Sequence, residues 1–299
     1  MKITDKFKNL FNLIIKSKFL ITFPPILWLI LFLVFPLVIV LKISFASPVY
    51  SVPPFSEIFS FIDKYSTQIN LNFESYARIF KDVYYLTAFV NSIILAFFST
   101  LLCLILGFPI AYGISCAKKE KRIILLLLIS FPFWISSLVK IYAWENLFAF
   151  DGPINRLLLN FHIIENPIRF LGNFYAVYTG MIFCYIPIMI FPIYSALEKI
   201  DNSYIEAASN LGCSPAKVFW KIIAPFSKHG IASGCILVFF STIGEFAIPE
   251  LLGGPDTIIL GRVLWMELFN NVDWPMACSL SIITMLFVAL PVFIFRKKY

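Results

Sequence analysis

Long stretches without a single Asp, Glu, Lys or Arg dominate the chain: Phe19 to Leu41, Val83 to Ala117, Ile123 to Val139, Leu171 to Leu197, Gly230 to Gly244, and Trp274 to Phe295. A helix rising 1.5 Å per residue needs about 20 residues to cross the hydrocarbon core of a bilayer, so these six stretches predict six transmembrane helices. The fifth continues, after an acidic interruption, to Gly254. The expected fold class is an all-α integral membrane protein whose helical domain occupies residues 19–295, with a polar loop at 198–229 and a short tail at 296–299. Before the first span, Ile3, Phe7, Leu10, Phe11 and Ile14 recur at helical spacing among lysines. Residues 1–18 therefore read either as an amphipathic helix on an anionic membrane surface or as a frayed basic tail. Ser44-Phe45-Ala46 resembles a signal-peptide cleavage site, but the preceding apolar core is too long for a signal sequence and Lys42 interrupts it, which favours an uncleaved helix.

Composition agrees with the pattern. Of 299 residues, 60% are hydrophobic and only 14% charged, and the mean hydropathy is +0.87; soluble domains carry about 25% charged residues. The net charge of +7 does not imply nucleic acid, because the basic residues cluster beside apolar spans without aromatic interleaving. With the N-terminus inside, sixteen Lys and Arg fall on the inner side and eight on the outer side, so both termini are expected in the cytoplasm of a bacterial cell with a multi-pass inner-membrane protein. The six cysteines avoid the expected outer loops, and the two histidines, His162 and His229, are isolated. This argues against disulfides and a metal centre. Pro36, Pro109, Pro132, Pro187, Pro192, Pro249 and Pro291 lie within the spans, where neighbouring helices or a water-lined path must satisfy the carbonyls they free.

The loop between the fourth and fifth spans carries start and stop signals for two short helices. Ser203 and Glu206 have the spacing of a capping box, and Gly212 can adopt the left-handed conformation that ends a helix. Ser214-Pro215 restarts the chain as N-cap and first helical position, and Pro225 is expected to close the second helix.

Glu206-Ala207-Ala208, Gly212 four residues after Ala208, then Ile222 and Pro225 resemble the EAA loop of ABC importer permeases, with Ala224 where that family usually has Leu. The resemblance implies the type I importer permease (MetI-like) fold. It also implies that Ser203, Glu206, Ala207, Ala208, Gly212, Ile222 and Pro225 form the element that docks into a groove on an ATPase subunit. No G-x-x-x-x-G-K-[ST] occurs, so ATP and magnesium are expected to be used by that partner, with no cofactor bound and no catalysis by this chain.

A narrower resemblance runs from about Asn91 to Pro275. Phe131-Pro132-Phe133-Trp134, Tyr142-Ala143-Trp144, Gly152-Pro153-Ile154-Asn155, the run Gly244 to Gly254 and the segment Asn271 to Pro275 look like the B-type permease of spermidine/putrescine importers. It implies a second, C-type permease, an ATPase dimer and a polyamine-binding protein as partners. A polycation crossing the membrane calls for carboxylates and aromatic faces, which Glu245, Phe246, Glu250 and Trp274 could supply. Counted along a regular helix, Glu245 lies about 22 Å from its inner end, and Glu250 is rotated about 140° from it unless Pro249 breaks the helix. The competing reading pairs Glu245 with an Arg or Lys of this chain or of the second permease. Tyr50, Tyr65, Tyr76 and Trp144 in the outer loops read either as docking surface for the binding protein or as lids packed on their own bundle. The alternatives at the level of function are another small solute, such as an inorganic anion or iron complex, and a stand-alone secondary transporter. Absence of an internal repeat weakens the last.

Overall fold

The apolar stretches fold as helices in the computed structural model, which describes residues 18–57, 59–63 and 66–296. Nearly all of the expected amphipathic segment, the tail residues 297–299 and Tyr65 lie outside the described residues. In chain order the elements are α1 (Lys18–Leu29), α2 (Phe35–Ser44), β1 (Phe59–Asp63), β2 (Ser66–Ile69), α3 (Glu74–Lys81), α4 (Val83–Cys116) and α5 (Lys119–Ser130). They continue with α6 (Ser137–Phe148), α7 (Pro153–Asn160), α8 (Phe174–Leu197), α9 (Asn202–Asn210), α10 (Pro215–Val218), α11 (Ala224–Ile243), α12 (Ala247–Leu252), α13 (Leu260–Trp265) and α14 (Trp274–Arg296). The strands form one antiparallel hairpin with Phe59 opposite Ile69 and Phe61 opposite Thr67.

Among the described residues, four helical runs are long and apolar enough to cross a membrane: Thr22–Ser44, Val83–Cys116, Phe174–Leu197 and Pro215–Ile243. The third expected span is not straight. Lys119–Trp134 and Ser137–Asn160 meet at 90° and count as one further span only if taken together. Pro132 lies in the 3-10 turn Phe131–Trp134 at this bend, where its missing N–H and fixed φ favour a break over a continuous helix. The last helix, α14, has 23 residues, with Trp274–Ala289 as its described apolar run.

Pro225 does not close a helix, contrary to the sequence expectation. A π turn, Phe219–Ile223, joins α10 to α11, and the Ala224 N–H reaches back to the Phe219 carbonyl. Widening the turn by one residue moves the carbonyls out of register with the proline ring, so the helix passes through Pro225. The same device precedes Pro36, where the π turn Ile30–Val34 links α1 to α2 and Phe35 N–H bonds the Ile30 carbonyl.

The chain forms two compact units, Met1–Lys81 with Met266–Tyr299, and Asp82–Trp265. In the first, α2 and α3 pack on α14. The Ser279 hydroxyl donates to the Ser44 carbonyl (3.1 Å), and the Tyr76 hydroxyl donates to Ser44 Oγ (2.8 Å). Asp273 caps α14 by accepting from the Met276 N–H and lies 3.8 Å from Arg78.

In the second unit α4, α8 and α11 pack on one another. Their shared core contains Cys103, Ala111, Met189, Ile190, Ile193 and Val238. With lipid outside, such packing depends on close backbone approach at small residues. A Cβ at Gly230 of α11 would lie 2.5 Å from the Pro192 carbonyl oxygen of α8. A further cluster, with Leu95, Ile141, Met181, Ile248 and Leu252, joins α4, α6, α8 and α12.

Candidate functional site

The loop after α8 begins with a charged cap. Asp201 Oδ1 accepts from the Ser203 N–H (2.9 Å), and the Asp201 carbonyl accepts from the Tyr204 N–H (3.1 Å). Asp201 is therefore the N-cap of α9 and Ser203 lies inside the helix, which corrects the capping box expected at Ser203 and Glu206. A carboxylate two residues before Ser203 offers a stronger acceptor than a hydroxyl and complements the positive helix N-terminus. The Ser203 backbone N–H, and after it the Ser203 hydroxyl, hold the Asp201 carboxyl below the usual carboxylate range.

Gly212 ends α9 as expected, with φ of 78°. The Gly212 N–H bonds the Ser209 carbonyl (2.9 Å), and the Cys213 N–H bonds the Ala208 carbonyl (3.1 Å). This is the paired-bond arrangement of a Schellman cap, which requires a left-handed residue at the glycine position. Ser214 stands at the N-cap of α10, with Pro215 following, but its side chain makes no capping bond.

The loop has two faces. Ile205, Ala208, Cys213, Phe219 and Ile222 pack against the core that includes Ile114, Val218 and Ile223. Glu206, Ala207, Gly212 and Pro225 are exposed, and so are the large apolar side chains of Tyr204, Leu211, Trp220 and Phe226, with Leu211 84% exposed. Tyr204 and Phe226 stack at 5.6 Å.

The acidic run takes a different form from the helix predicted. α11 ends at Ile243 with Gly244 as its C-cap, and Glu245 and Phe246 are non-helical before α12 begins at Ala247. The break lies at Gly244–Phe246, whereas Pro249 sits in the first turn of α12, where a proline is tolerated. Glu245 is half-buried. Its Oε1 accepts from the Ala247 N–H (3.0 Å) and the Ile248 N–H (3.5 Å), and its Oε2 accepts from the Tyr185 hydroxyl of α8. The carboxylate thus holds the N-terminus of α12 against α8. Within this chain the ion pair beside the break is that of Glu250, whose Oε2 lies 2.8 Å from Arg262 Nε. Phe246 stacks on Trp265, centroids 4.4 Å apart and planes 15° from parallel. Trp274 belongs to the other unit, where its ring lies 6.0 Å from that of Phe55.

Of the outer-loop aromatics, Tyr50 is fully exposed. Tyr76 is tied to Ser44, and Trp144 packs edge-on against Phe183 at 5.5 Å.

Residues 7–297 match the family described as binding-protein-dependent transport system inner membrane component. The chain belongs to that family. With its long apolar helices it is a multi-pass permease-type membrane subunit. It is 33% identical over 274 residues, 90% of each chain, to the spermidine/putrescine transport system permease protein PotB of Haemophilus influenzae. To PotB of Escherichia coli it is 32% identical over 255 residues, covering 85% of this chain and 88% of that one. Among solved structures, a chain of a bacterial alginate ABC transporter, crystallised with an alginate pentasaccharide-bound periplasmic protein, superposes with a TM-score of 0.73 at 16% identity. That match covers 98% of this chain and 96% of the other. A chain of the MetNI methionine ABC transporter gives 0.55 at 14% identity over 71% of this chain and 93% of the other. These structural likenesses establish the importer-permease fold.

Within this permease, sequence reasoning missed several polar residues. Lys140, one of the cations assigned to the outer side, is a buried residue of α6. Tyr185 lies within the uncharged run Leu171 to Leu197, where no neighbouring residue marks it. Trp265 and Arg262 lay beyond the quoted acidic run, although their spacing from Phe246 and Glu250 suits two short helices packed side by side.

Proposed function

We propose that this chain is one of two permeases in an ATP-driven importer that carries spermidine or putrescine across the bacterial inner membrane. The observation that carries the reading is the half-buried carboxylate at the break between α11 and α12, flanked by Phe246, Glu250 and Trp265, in a chain about one-third identical over most of its length to spermidine/putrescine permeases. Carboxylates in a membrane protein are costly and are retained where they meet a cation or a path. Stacked aromatic faces beside them suit an alkylammonium.

The exposed face of the loop, with Glu206, Ala207 and Gly212, is the docking element for the ATPase subunit, and Ala208 seats that face on the core. ATP is bound and hydrolysed by that partner, and Ile222 and Pro225 carry the push into α11. Both termini face the cytoplasm. A second permease completes the path, a polyamine-binding protein delivers cargo from outside, and Trp274 is a candidate contact on the outer side.

The test is reconstitution of the chain with its companion permease, ATPase and binding protein in proteoliposomes. ATP-dependent accumulation of radiolabelled spermidine or putrescine is expected. ATPase stimulation by binding protein loaded with sulfate or ferric iron, but not with polyamine, would overturn the cargo assignment.

A further inference from the structure

α12 and α13 lie side by side with two side-chain contacts between them. Phe246, the residue before α12, stacks on Trp265, and Glu250 of α12 pairs with Arg262 of α13. Arg262 and Trp265, three residues apart, share one face of α13, and the pairing order makes the two segments antiparallel. Arg262 also donates from Nη1 to the Gly254 carbonyl (3.0 Å). That carbonyl is held in place by the Thr257 N–H (3.1 Å) and the Thr257 hydroxyl (2.5 Å). The result is a fixed set of acceptors, one carboxylate and one carbonyl, with an aromatic stack about 5 Å away along the helix.

Such a set recognises a primary alkylammonium. An ammonium group has three donors and no acceptor, so a carboxylate and a carbonyl satisfy it, and its methylene stem can lie on an aromatic face. In this structure the set is filled by a cation of the chain itself. The pair is accessible, with the Arg262 side chain 25% exposed and that of Glu250 41% exposed. Ion pairs at this exposure contribute about 0–1 kcal/mol, so exchange of one cation for another is close to neutral.

We infer that Glu250 and the Gly254 carbonyl form a cargo subsite for one ammonium end of a polyamine, and that Arg262 occupies it until cargo displaces the guanidinium. Phe246 and Trp265 receive the methylene stem. Arg262 is then a specificity-determining residue: a mobile guest that a polycation replaces and an anion cannot. The inference rests on the polyamine reading of the preceding section and deepens it.

The experiment uses the full reconstituted importer with Arg262→Gln and Glu250→Gln, each checked for assembly with its partners. R262Q vacates the subsite, so KM for spermidine uptake should fall, by up to about fivefold. E250Q should raise KM, and combining it with R262Q should abolish the gain. An assembled R262Q with unchanged or raised KM overturns the subsite. Should R262Q fail to assemble, E250Q decides, and an unchanged KM there overturns it as well. A wild-type complex that takes up no polyamine overturns the cargo reading itself, a result distinct from wild-type uptake with indifferent variants.

Discussion

The Tyr185 hydroxyl donates a hydrogen bond to the Glu245 carboxylate, tying the middle of α8 to the turn between α11 and α12. Glu245 meanwhile spends its other oxygen on the backbone N–H groups that open α12. One side chain therefore anchors the short helix that carries Glu250 to the long helix that lines the core of its unit.

Tyr185→Phe removes one donor from this carboxylate and leaves the backbone donors in place. A hydrogen bond to a charged group contributes about 1.5–3 kcal/mol, so the variant is expected to unfold at lower temperature in detergent while keeping the helical content of the wild type. Glu245→Gln can still accept from the Ala247 N–H, and should lose less stability than Glu245→Ala, which leaves the α12 N-terminus uncapped. Thermal unfolding of the three variants checks the order; equal stabilities would show that the carboxylate does not hold α12.

The cap at Gly212 separates coupling from folding. A Cβ at this position would meet nothing within 4 Å, while φ is 78°. Replacement by Val therefore costs only the left-handed backbone, about 1–2 kcal/mol, confined to the end of α9. Gly212→Val should insert and assemble yet lose most coupled uptake, whereas Gly212→Asn, which tolerates this conformation, should retain it. Measuring uptake against ATP hydrolysis in proteoliposomes distinguishes the two, and full uptake by the valine variant would count against the docking role.

Local features of this permease were legible in its sequence and non-local ones were not. Uncharged length marked α4, α8 and α14, and Gly212 announced its own helix end because only glycine adopts that conformation freely. Pro225 misled because a π turn cancels a proline through a register shift in the preceding turn, which no single residue type encodes. Ser203 misled because two acceptors, Asp201 and Ser203, competed for one helix start and the charged one won. The acidic run at Glu245 was found, but its partner Tyr185 lies 60 positions upstream, and the choice of Arg262 for Glu250 rather than Glu245 depends on where α11 stops.

The Asp201 cap carries a pH signature. Its carboxyl is held below the usual range by Ser203, so the capping contribution is complete above the ordinary carboxylate pKa and is lost only as pH falls through the lowered folded value. At neutral pH the Asp201 cap is fully formed. Asp201→Ala should speed amide exchange at Ser203 and Tyr204 at neutral pH, and Asp201→Ser should largely restore protection through its own hydroxyl. Exchange rates unchanged in the alanine variant would mean that the bond does not order the turn.

The closest backbone approach in the α8–α11 pair predicts a contrast between two glycines. At Gly230 a Cβ would lie 2.5 Å from the Pro192 carbonyl oxygen and 2.6 Å from the Ala196 Cβ. Neither neighbour is the end of a flexible side chain, so Gly230→Ala must push the helices apart, with an overpacking cost of about 1–3 kcal/mol. At Gly113, inside α4, a Cβ meets nothing within 4 Å, and Gly113→Ala should instead gain about 0.5–1 kcal/mol from the lower backbone entropy of the unfolded chain. Both substitutions add the same methyl group to a helix, so hydrophobicity and helix propensity cancel in the comparison and only packing remains. Thermal unfolding of the purified chain should show Gly230→Ala below the wild type and Gly113→Ala at or above it. The reverse order would mean that α8 and α11 are not in contact at Pro192, and that the shared core of Met189, Ile193 and Val238 is not what holds this unit together.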